Sequence, residues 1–126
     1  MRFLLDSTVL IDHANRDVEA MRLVRSLIEE GHDLFTCDVV TCEALSKGDA
    51  GDVRYVEALL DALEYVSTTP QAARHAGKAR RERHAAGGKR ALGDALIAGI
   101  AAELEAIVVT RNRRDFARQG IETLEY

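Results

Sequence analysis

A chain of 126 residues, 47% apolar and 30% charged, has the size and balance of one globular domain with its own core, and it holds no apolar run long enough to span a membrane. The formal net charge of −4 speaks against a nucleic-acid partner for the molecule as a whole. The distribution does not: residues 74–90 carry Arg74, Lys78, Arg80, Arg81, Arg83, Lys89 and Arg90 against Glu82 alone, a local +6 that leaves −10 for the rest.

In chain order, the apolar residues of RFLLD predict a short buried strand, and Ser7 or Thr8 is placed to cap the helix that starts at VLID. Residues 17–30 space Val18, Met21, Val24, Leu27 and Ile28 as a helix, with Gly31 as its stop. DLFT predicts a second strand, and Asp38 is placed to cap a helix carrying Val39, Val40, Cys42, Glu43, Ala44 and Leu45. KGDAGD has the composition of a loop. Residues 53–63 predict a helix, EYVST a strand, and Pro70 the first turn of a helix running to Gly87-Gly88. A helix over Leu92 to Leu104, a strand at AIVVT, a short helix at RRDFARQ and a strand at ETLEY complete the chain. Strands alternating with helices predict an α/β fold over residues 1–126. Its mostly parallel sheet, of four to five short strands, is flanked by helices on both faces. With Trp absent and aromatics scarce, aliphatic residues carry the core.

Four acids stand where the chain is otherwise apolar or turning: Asp6 in FLLDSTVLID, Glu43 in CDVVTCEAL, Asp94 in GDALIAGIA and Asp115 in TRNRRDF. Each has a plainer role open to it. Asp6 can cap a helix, Glu43 can face solvent, and Asp94 or Asp115 can sit in a first helical turn. Together they reach the rim beyond the carboxyl ends of the strands, where α/β sheets bind ligands. Uncompensated, each close pair would repel by about 4 kcal/mol at an effective dielectric of ~20. A hard divalent cation resolves that repulsion, and an all-oxygen donor set suits Mg²⁺ or Mn²⁺ rather than zinc. Cys37 and Cys42 lack the spacing of a zinc site or a disulfide and read as small buried thiols. His13, His32, His75 and His84 show no metal spacing and read as surface residues.

These segments, in this order, resemble the PIN-domain nucleases, and among them the small stand-alone VapC-type toxins of toxin–antitoxin pairs. The most specific stretch is GDALIAGIAAELEAIVVTRNRRDF, residues 93–116; LLDSTVLID resembles the opening strand and TCDVVTCEAL the Glu-bearing segment. The resemblance spans essentially the whole chain as one PIN-like domain. It implies that Asp6, Glu43 and Asp94 are the three core metal-holding acids, with Asp115 the fourth. It places Ser7, Thr110 and Asn112 beside them as residues that orient the ligands. The opening reads Asp-Ser-Thr where the family more often has Asp-Thr-Ser, with both hydroxyls kept. Asp12 and Asp38 are extra acids with surface and capping roles.

The implied activity is hydrolysis of RNA phosphodiester bonds with Mg²⁺ or Mn²⁺. Arg80, Arg81, Arg83, Lys89, Arg90 and Arg111 would hold the RNA backbone. The implied partners are an antitoxin protein laid across the acidic cleft and a second copy of the chain; the expected location is the cytoplasm, by default from the lack of a long apolar run. Three alternatives stand beside this reading. A haloacid-dehalogenase-like phosphatase would also start with a strand ending in Asp, but needs an acid two residues later, where Thr8 stands. A PIN-type RNA-processing nuclease would share the chemistry without the toxin role. An inert binding module would share the fold alone.

Overall fold

Phe3, Leu4 and Leu5 are buried in succession because the strand that holds them, β1 (Arg2–Leu5), is covered on both faces. The computed structural model describes residues 1–126. Its other strands are β2 (Asp33–Cys37), β3 (Glu64–Val66), β4 (Ile107–Val109) and β5 (Thr123–Leu124). They join β1 in one five-stranded sheet of order β3-β2-β1-β4-β5. Every pairing is parallel, so the sheet is wholly rather than mostly parallel. Seven helices cover it: α1 (Ser7–Ala14), α2 (Val18–Glu29), α3 (Asp38–Leu45), α4 (Ala50–Asp61), α5 (Pro70–Ala85), α6 (Leu92–Leu104) and α7 (Arg113–Ala117).

The chain builds outward from β1 to β3, then returns to the far side of β1 with β4 and β5. The direction of winding therefore reverses between β1 and β4, and a crevice opens at their carboxyl ends. Leu5 is in register with Val109, and the Asp6 amide donates to the Val109 carbonyl at 3.0 Å. Asp6 and Thr110 thus leave the sheet side by side at that crevice.

The core is aliphatic, with Leu4, Leu5, Val9, Leu10, Val40, Ile97, Val108 and Val109 fully enclosed, and Phe116 the one fully enclosed aromatic residue. Helix α6 is buried almost all round, through Ala95, Ile97, Ala98, Gly99, Ile100 and Ala101, because α5 closes over it. Ala72 and Ala76 form the buried stripe of α5. At Gly99 the two helices meet backbone to backbone: a Cβ there would lie 2.5 Å from the Ala72 carbonyl oxygen. Small residues thus draw the basic helix α5 tightly alongside the helix that carries Asp94.

Local differences from the sequence reading lie at the caps. Asp6, not Ser7 or Thr8, is the N-cap of α1, accepting from the Ser7 amide at 2.6 Å. Asp38 sits one residue inside α3, and its carboxylate accepts from the Val39 amide and from the amide and hydroxyl of Thr68, which ties the end of β3 to α3. Helix α4 starts inside the expected loop, because Asp49 and Asp52 cap its first turn reciprocally. Cys37 is buried as expected, whereas Cys42 lies exposed on α3; both are free thiols. His13 is half-buried beside Tyr55 rather than on the surface.

Candidate active site

Asp6 is 3% exposed, and no cation touches it. Its Oδ1 accepts from the amide and hydroxyl of Ser7, at 2.6 and 3.3 Å, and its Oδ2 accepts from the Thr110 hydroxyl at 2.7 Å and the Thr8 hydroxyl at 3.4 Å. Burial pushes its pKa above the usual carboxylate range, and the hydrogen bonds from Thr110, Ser7 and Thr8 only partly offset this.

The remaining acids are tied to Asp6 by a short relay. Thr110 Oγ1, while donating to Asp6, accepts from the Asn112 amide at 2.8 Å. The Asn112 side-chain amide then donates to Asp115 Oδ2 at 2.9 Å and to Asp94 Oδ2 at 3.3 Å. A neutral donor thus bridges two carboxylates from α6 and α7. The Asp94 pKa is pushed up to about 6, first by burial and then by the negative charges of Asp6, Asp115 and Glu43. Glu43 arrives from α3. Its pKa is raised by burial and then by Asp6, and its buried Oε1 has no hydrogen-bond partner. Its Oε2 lies against the N-terminus of α6, where a Cβ on Gly93 would fall 2.5 Å away.

Asp6, Glu43, Asp94 and Asp115 therefore line one crevice, each within the electrostatic reach of at least one other. They ring it rather than close on a point: no three of these side chains are arranged to hold an ion as they stand. An unpartnered carboxylate oxygen, three carboxyl groups with raised pKa values and an oxygen-only donor set are features that a hard divalent cation satisfies.

The PIN domain family model matches residues 3–122. The chain belongs to the PIN-domain family. Ribonuclease VapC19 of Mycobacterium tuberculosis is 31% identical over 114 residues, covering 90% of each chain. Among solved structures, VapBC2 of Rickettsia felis bound to a promoter DNA fragment superposes with a TM-score of 0.85 at 20% identity, covering 100% of this chain and 99% of that one. DNA-bound VapBC of Salmonella typhimurium superposes with a TM-score of 0.82 at 27% identity, covering 99% and 98%. Membership of this family sets aside the phosphatase alternative, and Thr8, standing where that enzyme needs its second acid, instead donates to Asp6.

In this PIN domain the basic residues divide by what they touch. Arg111, expected among the RNA-binding residues, has its guanidinium paired with Asp12 at 2.7 Å and Asp17 at 3.0 Å, 4.4 Å from the Tyr126 ring centroid. The Tyr126 hydroxyl donates to the same Asp12 carboxylate at 2.7 Å, so Asp12 is a structural anchor rather than a plain surface acid. Arg80 and Arg90 brace the loop between α5 and α6, with Arg80 Nε donating to the Arg90 carbonyl at 3.2 Å and Arg90 Nη1 to the Ala79 carbonyl at 3.3 Å. Arg81 is exposed on α5. Arg83, Lys89 and Arg90 line a recess with Asp94 and Asp115, joined there by Arg118, a residue outside the set expected from sequence. Thr8 was likewise passed over as a ligand-orienting residue, although a second hydroxyl following Asp6 was its signal.

Proposed function

We propose that this PIN domain is an endoribonuclease dependent on a divalent cation, Mg²⁺ or Mn²⁺, and that it is the toxin half of a toxin–antitoxin pair. The observation that carries the nuclease reading is the grouping of Asp6, Glu43, Asp94 and Asp115 at the reversal point of the sheet, three of them with pKa values raised by burial and then, for Glu43, by Asp6 and, for Asp94, by Asp6, Asp115 and Glu43. The 31%-identical relative is named as a ribonuclease, and the superposing structures are VapBC complexes, which supports the toxin role and a protein antitoxin as partner.

Asp6, Glu43, Asp94 and Asp115 are the residues that would hold the cation. When bound, it supplies positive charge that polarises a phosphoryl oxygen and lowers the pKa of water at the site. The chain itself does the rest. Ser7, Thr8 and Thr110 fix both oxygens of Asp6. Asn112 sets the separation of Asp94 and Asp115, and the Thr110–Asn112 link fixes the β4–α7 turn relative to Asp6. Basic side chains of α5 and the loop after it meet the RNA backbone. An antitoxin segment across the crevice would exclude that RNA, and pairing with a second copy of the chain completes the proposed assembly.

The test is sequencing of RNA ends after induced expression, with Asp6→Asn and Asp94→Asn as controls. New ends should appear with the wild type in metal-containing cells and vanish in both variants, each retaining its circular dichroism spectrum. Undiminished cleavage by either variant would refute the assignment.

A further inference from the structure

The recess beside the acids is lined by Arg83 from α5, Lys89, Arg90 and Ala91 from the loop before α6, Asp94 from α6, and Asp115 and Arg118 from α7 and its end. Four cations thus face two carboxylates. None of the four forms an ion pair with Asp94, Asp115 or any other acid within 4.0 Å. By contrast, Arg111 pairs with Asp12 and Asp17. Arg90 is held by the Ala79 carbonyl, and the Arg83 guanidinium lies over the backbone of Gly88. The loop bearing Lys89 is closed onto α5 by the Gly88 amide, which donates to the Arg83 carbonyl at 2.9 Å. Three separate elements therefore bring positive charge to one place, and Arg83 and Arg90 are held there by contacts other than salt bridges.

The recess is tight. Its free volume is about 30 Å³, and six of its seven lining residues are charged. We infer that Arg83, Lys89 and Arg118 form a phosphate subsite that seats the RNA phosphate next to the one being cleaved. The inference rests on the nuclease reading and sharpens it. Of the basic residues in and around α5, those in the recess engage a phosphate adjoining the acids. Arg80 acts only by bracing the loop. Guanidinium groups are suited to this because their planar fork matches two phosphate oxygens, so that an Arg→Lys exchange keeps the charge and loses the fit.

The experiment measures cleavage of a short single-stranded RNA and, separately, calorimetric binding of inorganic phosphate without RNA. The proteins are the wild type, Arg83→Ala, Arg118→Ala, Arg118→Lys, Lys89→Ala and, as a control for loss of a surface charge, Arg25→Ala on α2. Thermal melts establish that each is folded. Arg83→Ala and Arg118→Ala should raise KM at least about tenfold with a smaller change in kcat, and each should lower the salt dependence of log KM by about 0.7, the slope for one contact to a single strand. Phosphate binding should weaken in parallel, Arg118→Lys should recover only part of either loss, and Arg25→Ala should match the wild type. Folded Arg83→Ala and Arg118→Ala proteins with wild-type KM, salt slope and phosphate affinity would overturn the subsite while leaving the nuclease assignment intact. Should the wild type bind phosphate through these residues yet cleave no RNA, the nuclease reading would fail and an anion site would stand, overturning the RNA role given to it here.

Discussion

Asp94 concentrates the chemistry of this molecule in one side chain. Burial first, and then the charges of three other carboxylates, raise its pKa to about 6, and its neighbour Asn112 is a neutral donor. A folded-state pKa above the unfolded value means that folding takes up a proton between the two. The stabilising contribution is therefore complete below the unfolded value, near 3.8, and is lost as pH rises through about 6. Asp6 and Glu43 are shifted in the same direction. In the metal-free protein, Asp94→Asn should raise Tm by a few degrees at about pH 7.5 and by less at about pH 5, where the wild-type group is already protonated. Equal shifts at both pH values in thermal melts with a chelator would show that the acids do not act on one another. This coupling was legible from sequence only as four acids set in apolar stretches. The relay through Thr110 and Asn112 was legible as the TRN triplet, but which atom donates to which was not, since that depends on the register of β1 against β4.

Among the elements, the pair α5 and α6 does the most to build the site. Its sequence signals pointed in different directions: α5 reads as a basic surface helix, and α6 as an apolar one. The small residues Ala72, Ala76 and Gly99 unite them, and no periodicity announced that Gly99 would meet a backbone carbonyl. Gly99→Ala should therefore destabilise the domain by about 1–3 kcal/mol despite the better helix propensity of Ala, because α5 must move to admit the methyl group. Urea denaturation checks this, and an unchanged or higher midpoint would contradict the packing described. Strands and helices were otherwise readable, since FLL and IVV are short apolar runs and Gly31 and Pro70 mark element ends. Misreadings fell where polar side chains act over distance. The Asp49–Asp52 cap hid a helix start in loop-like composition, and Arg111 finds Asp12 and Asp17 from 99 and 94 residues away. A sequence gives no hint that such an arginine is already occupied.

The whole molecule separates its charges by place. A net negative chain sets most of its basic residues on α5, the following loop and α7, and several of them stand beside the crevice where the four acids gather. That juxtaposition fits a polyanion whose cleavage needs carboxylate-held cations at one point and positive side chains around it. The all-parallel sheet supplies the crevice by reversing its winding at β1 and β4. The central claim is that Asp6, Glu43, Asp94 and Asp115 act together as one cation site. Calorimetric titration with Mn²⁺ alone tests it most directly. Saturable binding by the wild type, weakened at least about tenfold in both Asp6→Asn and Asp94→Asn, is the predicted result; a wild type that takes up no Mn²⁺, or one whose affinity survives both substitutions, would contradict it.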